Sequence, residues 1–265
     1  MAMPTRMTHR RHSGSLRSQL RSSHVKISAG LEARREREIS MTGQVWISEV
    51  MSNNELGNKL GLRQKWFGEP WEAPYVNHRV PDTSKTVFAA IMKHYAGHTM
   101  RREDMPEASA VYSMSHFKRA KDIFFLGGFL GVKGKVAEVL SKFDFGVGGG
   151  LVRHTIYEAD QKTPLAGPFY IINFGSKKDC FLPDASTNIG KPSVHHETGR
   201  TRWSLAYLKD GDIAVSPAAL VGADLWMCPG VEGRIFMSHR LVEALRTALI
   251  DADFADFKLH RCRVV

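Results

Sequence analysis

Cysteine is scarce in this chain of 265 residues: Cys180, Cys228 and Cys262 stand in unrelated contexts with no C-x-x-C pair. An odd, scattered count excludes a disulfide framework and fits a reducing compartment, so a cytoplasmic location is expected. Long apolar runs are missing as well. The longest, residues 123–132, is ten residues long and is interrupted by Gly127, Gly128 and Gly131. A membrane-spanning helix needs about 20 apolar residues, so no membrane partner is expected. An export signal is not expected either, because the Arg10-Arg11 pair is followed by the polar stretch 14–23 rather than an apolar core. What remains is ordinary in bulk, 43% hydrophobic and 24% charged, which excludes collagen, coiled coil and wholesale disorder.

The charge is uneven. The net charge is +10, yet residues 1–40 hold nine basic and three acidic residues and so carry six of those ten charges. A basic face on a folded domain would argue for nucleic acid, whereas a basic tail argues for it only weakly. Rich in Arg, Ser and His and without apolar periodicity, residues 1–40 read as a disordered extension, with ordered structure from about residue 41.

Catalytic signatures are also absent. Gly134-Lys135 is followed by Val136, where a phosphate-binding loop needs Ser or Thr. The glycines at 146, 148, 149 and 150 do not fit G-x-G-x-x-G, because the third position falls on Leu151. Twelve histidines raise a metal hypothesis, and His94 and His98 have the i, i+4 spacing of a shared helical face. No Cys, Asp or Glu ligand accompanies them, and His195-His196-Glu197 does not continue into H-E-x-x-H. Neither metal nor cofactor is expected. Cys180 is a conceivable nucleophile beside His154 or His196, but nothing in the spacing supports it. Asp251, Asp253 and Asp256 lack the glycine and the terminal glutamate of a calcium loop and read as solvated carboxylates.

The apolar pattern predicts an α+β fold of short mixed or antiparallel strands. Residues 61–81 combine Trp66, Phe67, Trp71 and Tyr75 with Pro70, Pro74 and Pro81, which forbids a long helix and suggests an aromatic arm over 41–82. Residues 85–96 suggest a short helix. Strands are expected at 123–126, 151–158, 168–174, 225–227 and 234–237, with further short ones within 205–215. Helices are expected at 133–143 and 239–250, the latter N-capped by Ser238. A last strand is expected through Phe254, Phe257 and Leu259. The segments 123–125 and 235–237, each leading into a helix and then a phenylalanine, suggest two similar strand–helix–strand modules.

From about residue 120 to 259 the chain resembles an immunity-protein family of bacterial polymorphic toxin and type VI secretion systems, the eleventh of the numbered immunity families and formerly a domain of unknown function. The likeness rests on DIFFLGGFLGVKGKVAEVLSKFDF at 122–145, FYIIN at 169–173, Asp224-Leu225-Trp226, and IFMSHRL at 235–241 with its helix and Phe257. The glycine-rich insertion 127–134 and the arm at 46–81 depart from the family pattern. The resemblance implies an immunity-type α+β domain over 83–265 that neutralises a cognate toxin protein by tight binding, without catalysis, cofactor or small-molecule substrate.

Large aromatic side chains dominate protein interfaces. Trp66, Trp71 and Tyr75 in the arm, and Trp226 beside the Cys228-Pro229-Gly230 turn, are therefore the expected partner contacts. Two other readings stay open. One is a histidine- and cysteine-based hydrolase or metal-dependent enzyme. The other is nucleic-acid binding through the basic tail.

Overall fold

The structure, a computed structural model, describes residues 43–56, 60–72, 84–194 and 199–265. In chain order its strands are β1 (Val45–Ser48), β2 (Leu62–Lys65), β3 (Ala108–Val111), β4 (Ile123–Leu126), β5 (Phe129–Lys133), β6 (Gly150–Tyr157), β7 (Phe169–Asn173), β8 (Ser193–Val194), β9 (Thr201–Arg202), β10 (Ala214–Val215), β11 (Leu225–Cys228), β12 (Val231–Ser238), β13 (Leu259–Arg261) and β14 (Arg263–Val264). Its α-helices are α1 (Ser84–Tyr95), α2 (Met114–Phe117), α3 (Gly134–Leu140), α4 (His239–Ala248) and α5 (Asp251–Ala255). The fold is α+β. A six-stranded sheet runs β2-β3-β6-β7-β5-β4 and a four-stranded one runs β11-β12-β1-β13; two two-stranded pairs complete the set. Only β3 and β6 are parallel within the large sheet.

Side-chain alternation explains the layering. Along β12, Ile235 and Met237 face a central core while Phe236 faces the opposite side. Along β5, Leu130 and Val132 enter that same central core, and Phe129 enters a third. Both sheets are thus covered on both faces, and their strands read as nearly continuous apolar runs. Helices α3 and α4 close the central core with Val136, Val139, Leu140, Leu241, Val242 and Leu245. Burying a side chain of this kind contributes roughly 1.5–3 kcal/mol.

Both strand-to-helix modules form, with a difference in the first. The strand feeding α3 is β5, not β4, because Gly127 and Gly128, at φ +56° and +98°, close a two-residue hairpin between them. Consecutive positive φ angles make the turn that follows the natural twist of a hairpin. Asp122, just before the hairpin, then accepts the Lys135 N–H at 2.7 Å and caps α3 from across the turn. In the second module Ser238 accepts the Leu241 N–H at 3.3 Å, the cap expected there.

Three other expectations are corrected. Residues 45–48 and 62–65 do not form a separate arm: β1 is an inner strand of the four-stranded sheet and β2 an edge strand of the six-stranded one. Only Ala214–Val215 is a strand within 205–215. Residues 251–255 form helix α5, since acidic residues favour a first helical turn, and the last strands begin only at Leu259. Asp256 is buried and ion-paired to Lys121 at 2.6 Å rather than solvated. Among the described residues no helix is long and apolar enough to cross a membrane.

Candidate functional site

The glycine-rich segment after α3 is a packing device. Cβ atoms on Gly149 and Gly175 would each lie 2.6 Å or less from the other residue's backbone nitrogen, so the two chain segments touch main chain to main chain. Asn173 locks the arrangement: its Oδ1 accepts the Met100 N–H, and its Nδ2 donates to the carbonyls of Met100 and Gly148. Gly175→Ala should therefore cost about 1–3 kcal/mol in a denaturant titration, because a backbone neighbour cannot rotate away. A variant as stable as the parent would show that the loop is free to move.

Between α3 and this loop lies a cleft of about 590 Å³, floored by Leu151 and Tyr170 of the large sheet. Its polar side chains are Glu138, Ser141, Asp144 and Tyr170, and its lining holds no histidine, cysteine or lysine. Behind the cleft, Asp224 accepts hydrogen bonds from Ser238 Oγ, the Arg240 guanidinium and the Asp144 N–H. Burial opposes the Asp224 charge, yet the hydrogen bonds from Arg240 and Ser238 outweigh it and hold the carboxyl below its usual range. Sequence reasoning passed over Asp224 and Asn173. Their only local signal was a polar residue at the end of a buried apolar strand.

The histidines are core groups. His94 is wedged between Phe129 and Phe174, and its Nε2 accepts the Leu130 N–H at 3.0 Å. His98 does not share a helical face with it, because α1 ends at Tyr95. His154, Ser109 and Gln64 form a buried row across three strands, with Ser109 Oγ 2.7 Å from both His154 Nε2 and Gln64 Oε1. If Ser109 donates to Gln64, His154 donates through Nε2. The Nδ1 atoms of both rings are buried without a hydrogen-bond partner. Burial lowers both histidines to about 3, with the Arg102 charge adding to the effect at His154. At neutral pH they are uncharged. Cys180 lies in the core beneath the small sheet, among Trp226 and Phe236, whereas His154 belongs to the large sheet. Among the described residues no group of three or more His, Cys, Asp or Glu is placed to hold a metal ion. His195 and His196 lie outside the described residues.

Of the four expected contact aromatics, two remain at the surface. Trp66 is half-buried against Phe129 at 6.0 Å, and Trp71 stands edge-on to Tyr157 at 6.0 Å. A turn folds residues 71–72 back on β2, with the Glu72 N–H bonded to the Gln64 carbonyl and the Glu72 carboxylate accepting from Gln64 N–H and Trp66 Nε1. Phe67, 43% exposed, extends this patch beneath the Arg102 guanidinium at 4.9 Å. Trp226 is a correction. It is 0% exposed, stacked on Phe236 and covered by Lys178, whose Nζ is 3.5 Å from the ring centre. The neighbouring turn does not expose it because both faces of β11 are covered. Tyr75 lies outside the described residues. Set against known protein families the chain matches none, and no curated protein matches it either.

Proposed function

We propose that the chain is an immunity-type protein that binds and neutralises a cognate bacterial toxin without catalysis, through the aromatic patch of Trp66, Phe67 and Trp71 at the β2 edge. The observation that carries this reading is the placement of those rings. They project, partly exposed, from an edge strand braced by Glu72 and Arg102, and rigid half-buried aromatics are the side chains that anchor protein interfaces. Further support comes from the residues on which the family resemblance rests. Ile123, Leu140, Phe145, Ile172, Leu225, Ile235, Met237, Leu241 and Phe257 all enter the central core, so the likeness concerns the framework and leaves the surface to set specificity.

The test is copurification with the toxin encoded beside this protein's own gene, together with protection of cells that express that toxin. Absence of both complex and protection would overturn the proposal. Within the complex, Trp66→Ala or Trp71→Ala should weaken binding by about 2 kcal/mol, roughly thirtyfold in Kd, while the protein stays folded. Unchanged affinity in both variants would remove the patch from the interface.

A further inference from the structure

All three cysteines of the chain, distant in sequence, meet in the small core beneath the four-stranded sheet. Two of them are brought together by strand register. Residues 176–178 run parallel to Met227, with the Lys178 N–H bonded to the Met227 carbonyl and the Met227 N–H to the Ser176 carbonyl. The chain then turns to β10, where the Ser216 N–H binds the Cys180 carbonyl at 2.8 Å. A bulge between Met227 and Cys228 opens the tip of the β11–β12 hairpin. The Cys228 sulfur there receives a hydrogen bond from the Cys180 thiol and the backbone N–H groups of Cys180, Phe181 and Gly230. Three amides and a thiol converging on one sulfur form a cradle for a thiolate.

We propose that Cys180 and Cys228 are a peroxide-oxidisable pair, with Cys228 as the attacking thiol and Cys180 as the resolving one. The asymmetry follows from the cradle. The hydrogen bond from Cys180 and the three amides push Cys228 below the ordinary thiol range against the effect of burial, whereas Cys180, giving that bond, is pushed up. Cys262 is pushed up as well, chiefly by burial, and stays a thiol. The chemistry balances with one hydroperoxide. The Cys228 thiolate attacks a peroxide oxygen, forming an S–O bond and breaking the O–O bond. The departing hydroxide takes a proton to become water, and Cys228 is left as a sulfenic acid. The Cys180 sulfur then attacks the Cys228 sulfur, forming the S–S bond and breaking the S–O bond. The leaving hydroxide takes the Cys180 proton as a second water. Both sulfurs are buried, but Pro229 and Gly230, next to Cys228, are only half-buried, so a short opening of the hairpin tip suffices for a molecule as small as peroxide.

The full chain, reduced and desalted, is treated with a small molar excess of hydrogen peroxide, then digested without reduction and mapped by mass spectrometry. Expected are a cross-linked peptide joining Cys180 to Cys228 and loss of two hydrogen atoms from the intact mass, both reversed by dithiothreitol. In Cys180→Ser the cross-link disappears and a dimedone adduct appears on Cys228, at least about tenfold over Cys262, as its thiolate character requires. Free thiols at both positions after methionines have begun to oxidise would overturn the proposal. So would a cross-link to Cys262, or a cross-link seen only in urea. Should Cys180→Ser fail to fold, the map of the parent protein decides the question alone.

Discussion

Taken from pH 8 to pH 5, the protein is expected to lose about 4 kcal/mol of folding stability, a large share of the 5–15 kcal/mol typical of a folded domain. The cause is the pair of buried neutral imidazoles. In the unfolded chain His94 and His154 titrate near 6.5, and in the folded protein near 3. As pH falls below about 6.5 the unfolded state takes up two protons that the folded state refuses, so stability is fully present above that pH and declines until about pH 3. Each unit of pH inside the window costs about 1.4 kcal/mol per histidine, giving about 2 kcal/mol apiece at pH 5. Structure explains the refusal. A second proton on His94 would displace the Leu130 N–H from Nε2, and with His154 bonded through Nε2 it would fall on an Nδ1 that has no acceptor. Carboxylates held low, such as Asp224, add their own loss only below their ordinary range near 3.8. Urea titrations at the two pH values measure the difference. His94→Gln and His154→Gln should each halve the slope between pH 6.5 and 4, whatever they do to stability at pH 8. A stability flat to within about 1 kcal/mol across that interval would mean that both rings reach water in the folded state.

The sequence carried the elements whose signals are local. Ser238 caps α4 as its position before an amphipathic run suggests, and the FYIIN strand needs no context to be read as buried. The hairpin at Gly127-Gly128 was missed because two glycines were taken as a break, when they also permit the tight turn that lets β5 begin at once. Buried charges were the harder class. Asp224 depends on Arg240, sixteen residues on, and Asp256 on Lys121, 135 residues away, so no window of sequence holds both partners. His94 and His154 invited metal chemistry by residue type alone. Only the tertiary packing shows rings closed in among phenylalanines, or bonded to Ser109. The candidate site divided along the same line: Trp66 and Trp71, in a proline-punctuated stretch at a sheet edge, stayed at the surface, while Trp226 did not.

Trp226→Ala should cost about 3–5 kcal/mol of stability and change the affinity of the remaining folded protein for its partner very little. The ring is wholly buried between Phe236 and the Lys178 ammonium, and the core it fills also holds Val45, Ile47, Ile213, Val231 and Cys228. Truncation to alanine opens a cavity that four neighbouring strands cannot close without breaking their ladders. The loss extends to Lys178. Burial lowers this lysine to about 8, and its Nζ is held by the carbonyls of Ala219 and Ala223 together with the face of the indole. Removing the ring takes away the cation–π share, about 0.5–2 kcal/mol in general, and leaves the ammonium over a void. Trp226→Phe keeps an aromatic face beneath Lys178 and should lose less than the alanine variant, a ranking that a purely surface tryptophan would not produce. Denaturant midpoints of the two variants, measured beside their partner affinities, separate the roles. An alanine variant as stable as the parent but weakened in binding would return Trp226 to the interface and contradict the packing described for β11.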